Sequence, residues 1–194
     1  MARIASSPAA SSAITSALAQ GDRINRAVGA ILARRPEAAK AFLALQSALR
    51  TSGTLSPRLV ELIRLRIAFH NQCRSCMAIR YRSAIDDGVT EDTVCSLERP
   101  AEAADLSAAE RSALNFADLF ATNHLAIDGT VYDELRQHFT EDELVELGLH
   151  CATMVGFGRM VATWDVADDL PDGLRCGTGE PFAPWRSKSV VASG

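Results

Sequence analysis

Two capping boxes dominate what this chain can fold into. Ser107 with Glu110 and Thr140 with Glu143 each stand immediately ahead of a long run of apolar residues at helical spacing. Further helix starts are signalled by Pro36, by Ser56 followed by Pro57, and by Thr90. Gly88 reads as the left-handed stop of a helix spanning 74–87. Strand signals are scarce: Ala and Leu fill the long runs, and no Asn-Gly or Asp-Gly turn lies between alternating segments. The expected fold class is therefore all-α. Helices are expected over 25–34, from Pro36 to about Arg50, from Pro57 to near Asn71, and over 132–139, with a linker at 98–105. Residues 1–20, rich in Ser and Ala, are expected to be loosely ordered. Residues 21–170 form one helical domain, and 171–194, punctuated by Pro and Gly, form an extended tail.

The run after Thr140 is apolar almost all round, through Leu144, Leu147, Leu149, Met154, Val155, Phe157, Met160 and Val161. A helix of that kind needs cover on every side, so it is either the central core helix or part of a subunit interface. Gly148, Gly156 and Gly158 fit a close approach by another backbone, and a homo-oligomer is expected. The same run carries His150 and Arg159, which argues against a membrane span.

A chain of 194 residues buries roughly two thirds of its unfolded surface, enough to be stable without disulfide staples. Its five cysteines, at 73, 76, 95, 151 and 176, are thus an odd set suited to thiol chemistry in a reducing compartment, the cytoplasm. The N-terminal stretch lacks a continuous apolar core, so no signal peptide is expected. A net charge of -4 with no basic stripe argues against a nucleic-acid partner.

The segment from Glu61 to Arg80 carries the chemistry. It sets Cys73-x-x-Cys76 at the junction of one helix with the next, where free N–H groups favour a thiolate. Arg80, four residues beyond Cys76, is expected on the same helix face, where its charge would lower the thiol pKa further. Two adjacent thiols, one activated, suit a peroxidase or disulfide exchanger, in which one attacks and the other resolves. Glu61, twelve positions before Cys73, is a candidate proton acceptor if its helix folds back on the cysteines; alternatively it is a solvated partner of Arg64 or Arg58. A zinc site would need two further ligands at matching spacing, and the sequence offers none.

Glu61, the Asn71-x-Cys73-x-x-Cys76 motif and the helix ending at Gly88 resemble the core motif of the carboxymuconolactone decarboxylase and AhpD-like alkylhydroperoxidase family, across roughly residues 40–97. The resemblance implies an AhpD-like helical bundle with no cofactor. It makes Cys76 the peroxidatic thiol, Cys73 the resolving thiol and Glu61 a relay carboxylate. The implied substrate is a small organic hydroperoxide, and a dithiol electron donor restores the enzyme. The chain departs from the family at Arg80, where the motif carries His, and at Ser75, where some members carry His. Arg does not shuttle protons near neutral pH, so a shuttle would come from His70, His124 or His150. The departure leaves open a lyase or isomerase acting on a small carboxylic acid or lactone, with Arg80 as the carboxylate anchor; a third, non-enzymatic reading is a small-ligand or redox-sensing oligomer.

Overall fold

A computed structural model describes residues 2–11, 18–175 and 181–193. The chain is helical nearly throughout, as its capping signals require. In order, the helices are α1 (Pro8–Ser11), α2 (Gln20–Leu32), α3 (Pro36–Thr51), α4 (Pro57–His70), α5 (Arg74–Ala78), α6 (Arg82–Asp86), α7 (Glu91–Ser96), α8 (Ala108–Thr122), α9 (Gly129–Leu135), α10 (Glu141–Trp164) and α11 (Asp172–Arg175). Short 3-10 turns lie at Pro100–Glu102, within the expected linker, and at His124–Ala126 and Pro184–Arg186. Both capping boxes form, and Ser56 and Thr90 accept from the backbone N–H groups of Leu59 and Thr93.

Helix α4 is the hub. Its Leu62, Ile63 and Leu65 are fully buried, and it packs against α8 on one side and α10 on the other. Burial of each such side chain contributes about 1.5–3 kcal/mol, so this three-helix contact dominates the fold's stability. Helix α10 is long and apolar enough to cross a membrane by length and composition, but here Leu144, Leu147, Cys151 and Val161 belong to the core. Its outer side leaves Val145, Leu149 and Met160 exposed. Contrary to expectation, no backbone among the described residues closes on its three glycines: Gly148 and Gly156 face open space, and at Gly158 a Cβ would stand 2.5 Å from the side-chain amide of Asn71.

Three further expectations are corrected. The first is the helix over 74–87, which breaks into α5 and α6 around an extended segment, β1 (Ile79–Tyr81). This strand pairs in parallel with β2 (Val190–Ala192), matching Ile79 with Val190 and Tyr81 with Ala192, so the backbone bonds surrendered by the helix are recovered from the far end of the chain. The second is the tail, which folds back on the domain. Leu170, Leu174 and Ala192 are buried with Met77, Ala78 and Ile79 in one apolar cluster, against which Phe182 and Val190 pack. The third is the N-terminus. Arg3 N–H donates to the Trp164 carbonyl and Ser7 N–H to that of Ala30, tying the start of the chain to α10 and α2. Residues 12–17 and Cys176 lie outside the described residues.

Candidate functional site

Cys73 and Cys76 are joined as a disulfide with Cα atoms 5.2 Å apart. Cys73 caps the single turn of α5 and is fully buried, packed with Ile31, Val161 and Trp164. Cys76 is half-buried and lines a cavity of about 460 Å³. The walls come from α2, α3, α4 and α10, with Ile24, Val28, Leu49, Met154 and Phe157 supplying an apolar surface. Polar groups on the same walls are Glu61, Arg64, Asn71, Ser75 and His150. This is the composition of a small-molecule site, apolar with a few fixed polar groups.

Glu61 therefore reaches the cavity that Cys76 lines. It is 2% exposed, and both its oxygens accept from Arg64, at 2.7 Å each. The Tyr81 backbone N–H donates to the same carboxylate at 3.4 Å. Arg64 extends this fork to the dithiol segment, donating to the Cys76 carbonyl at 2.6 Å and to the Ile79 carbonyl at 2.7 Å. Burial pushes the Arg64 pKa down, but the charge and hydrogen bonds of Glu61 outweigh it and hold the guanidinium above its ordinary value. Arg64 is the site residue that sequence reasoning undervalued. The signal was its place three residues after Glu61, on the same helix face.

Arg80 is elsewhere. It sits in β1, off any helix shared with Cys76, and it is absent from the cavity wall. Its buried guanidinium forks onto Glu91 at 3.1 and 3.2 Å and donates to the carbonyls of Met77, Ile79 and Pro184. Those five bonds commit it, so it neither supports a thiolate as a helix-face neighbour nor stands free for a substrate carboxylate. Burial lowers its pKa, opposed by Glu91.

His70 also lies off the cavity wall. Its Nε2 is 2.7 Å from Asp118, whose carboxylate also takes both arms of Arg66 at 2.7 and 3.0 Å. Burial pushes the Asp118 carboxyl up, but the bonds from His70 and Arg66 win and hold it below the ordinary range. Of the three histidines considered as shuttles, His150 alone reaches the cavity; His124 is exposed on a 3-10 turn. His150 is 5% exposed, and burial holds its pKa below the usual imidazole value. Among the described residues its Nε2 makes no close hydrogen bond, its nearest charged partner being a Glu146 oxygen 3.6 Å away. That carboxylate is occupied by Thr54 and by the backbone N–H of Leu55.

Residues 36–119, which hold the cysteine pair, Glu61 and Arg64, match the model of the carboxymuconolactone decarboxylase family. The match covers α3 to α8, somewhat under half of the chain. Two uncharacterized proteins from strains of Mycobacterium tuberculosis are 39% identical over 95 residues, covering 48% of this chain and 33% of theirs, so the match spans about a third of their length. Among solved structures, an Agrobacterium tumefaciens protein of unknown function, named for AhpD antioxidant defence, superposes with a TM-score of 0.59 at 25% identity. It covers 68% of this chain and 90% of that one. An alkylhydroperoxidase AhpD core from Ralstonia eutropha, an uncharacterized peroxidase-related protein, gives a TM-score of 0.60 at 22% identity, covering 79% and 80% of the two chains. A Cys-to-Ala variant of the debrominase Bmp8, bound to 2,3,4-tribromopyrrole, gives 0.57 at 19% identity, covering 82% and 79%. The chain thus has an AhpD-like all-α fold and carries a Cys73-x-x-Cys76 pair.

Proposed function

We propose that this protein is a cofactor-free thiol peroxidase or disulfide oxidoreductase of AhpD type, reducing small organic hydroperoxides. One observation carries the reading: the Cys76 end of the Cys73–Cys76 disulfide lines an apolar cavity that also holds the Glu61–Arg64 pair. In the reduced enzyme the Cys76 thiolate attacks the terminal peroxide oxygen. An S–O bond forms, the O–O bond breaks, and the departing alkoxide takes a proton to leave as an alcohol. Cys73 then attacks the Cys76 sulfenic acid. The disulfide forms, and the hydroxide released takes the Cys73 proton and leaves as water. A dithiol donor restores both thiols by exchange and is itself oxidised to a disulfide. Glu61 serves as the relay carboxylate, and Arg64 fixes both that carboxylate and the Cys76 backbone.

The rival reading, in which Arg80 anchors a carboxylic acid or lactone, loses its support because Arg80 is buried and committed to Glu91 and Pro184. The tribromopyrrole held by a protein of the same fold supports a small-molecule substrate. The exposed Val145, Leu149 and Met160 on α10 support a homo-oligomer, and the need for a dithiol donor supports a reducing, cytoplasmic setting. The test is turnover of cumene hydroperoxide with dithiothreitol as reductant. Activity lost in Cys76→Ser is expected; undiminished activity in that variant would overturn the reading.

A further inference from the structure

Gln72, Arg74 and Arg80 flank or interrupt the cysteine motif, and each makes at least one bond to the C-terminal segment besides bonds elsewhere, Gln72 to Phe69, Arg74 to Asp165 and Arg80 to Glu91. Gln72 holds a left-handed backbone (φ 50°); its side-chain amide donates to the Phe182 carbonyl at 3.0 Å and accepts from the Phe182 N–H at 2.9 Å. Arg74 donates to the carbonyls of Leu174 and Arg175 and stacks over the Phe182 ring. Arg80 donates to the Pro184 carbonyl at 3.1 Å. The partner strand β2 follows, and Ser193 beyond it reaches the cavity wall. Cys76 packs against the same cluster that buries Leu170, Leu174 and Ala192. None of this segment lies within the family-matching residues 36–119.

We propose that Arg80 is a positioning residue that clamps residues 181–193 as a fixed wall against Cys76, so that Cys76 is reached through the cavity and molecules are selected there by size. The position where the resemblance puts a proton-shuttling His has thus become an anchor. The guanidinium suits this work: one planar fork grips Glu91 and still reaches Met77 and Pro184, and a neutral His has a single N–H. Burial gives the clamp its strength, because loss of Arg80 strands buried carbonyls without a donor. The inference needs Cys76 only as a reactive thiol and does not depend on the peroxidase chemistry.

The test reads access. In a Cys95→Ser, Cys176→Ser background, the reduced protein is treated with methyl methanethiosulfonate or with a poly(ethylene glycol) maleimide. Modification of Cys76 is followed by peptide mass, and each rate is scaled to that of free cysteine. In Arg80→Met the bulky reagent should gain at least about tenfold while the small one changes by less than about threefold, because access rather than thiol chemistry has changed. Gln72→Gly, which suits the left-handed backbone and removes both Phe182 bonds together with the side-chain bond to the Phe69 carbonyl, should move the same way, and Arg80→Lys should fall between. Bulky-reagent rates unchanged in folded Arg80→Met and Gln72→Gly would overturn the proposal, as would equal acceleration of both reagents.

Discussion

Replacing Arg64 by Met removes the one cation that serves both Glu61 and the backbone of the cysteine segment. The side chain keeps its length but loses its charge, leaving a carboxylate 2% exposed with a single long bond, from Tyr81 N–H at 3.4 Å. Breaking a buried pair from one side costs about 3–5 kcal/mol, because it leaves an uncompensated charge in a buried position. The carbonyls of Cys76 and Ile79 each lose a charged donor, worth about 1 kcal/mol or more. These losses share one network and do not add, so about 4 kcal/mol overall is expected, a large share of the usual 5–15 kcal/mol of a folded domain. Urea unfolding followed by far-UV circular dichroism measures it. The double variant Glu61→Gln, Arg64→Met should recover at least about 1 kcal/mol of the loss, since it strands no charge. A cost below about 1 kcal/mol in Arg64→Met, the figure for an exposed pair, would refute the argument that this pair is a buried structural fork.

Three further outcomes are expected. Asp118 is held below the ordinary carboxyl range, so its contribution to stability is present above the unfolded-state pKa and lost as pH falls through the folded one. Asp118→Asn should flatten the fall of unfolding free energy between about pH 5 and 2, and an unchanged slope would contradict the pairing with Arg66 and His70. Burial pushes the Cys151 thiol up to about 12, whereas Cys95 is exposed, so iodoacetamide at pH 8 should modify Cys95 and spare Cys151 in peptide mass analysis. Leu149→Glu on the outer side of α10 should convert a homo-oligomer to a smaller species in sedimentation velocity, and a wild-type monomer at micromolar concentration would remove the interface.

Elements fixed by neighbouring residues were legible in the sequence. The capping boxes at Ser107 and Thr140, the cap at Ser56 and the left-handed Gly88 each depend on contacts within a few positions, and the structure contains them all. The break at Ile79–Tyr81 was not legible, because its cause is β2, more than a hundred residues later. Arg80 was misplaced for the same reason: a spacing of four puts it on the Cys76 face only if the helix continues, and Glu91 and Pro184 could not be seen from its neighbours. For Glu61 the spacing from Cys73 left two readings open and the family resemblance decided between them, since a Glu three residues before an Arg on an amphipathic helix ordinarily reads as a solvated pair. His150 reads as a core residue from its apolar helix. Only the packing of α10 against α4 shows that it faces the cavity.

The central claim is that Cys76 reacts with a hydroperoxide and Cys73 closes the disulfide. Stopped-flow mixing of the fully reduced protein with a stoichiometric amount of cumene hydroperoxide, quenched at intervals for thiol counting, tests it most directly. The account requires a rapid loss of two thiols per chain in the wild type, loss of one with a trapped sulfenic acid in Cys73→Ser, and no rapid phase in Cys76→Ser. Rapid thiol loss in Cys76→Ser, or none in the wild type, would contradict it.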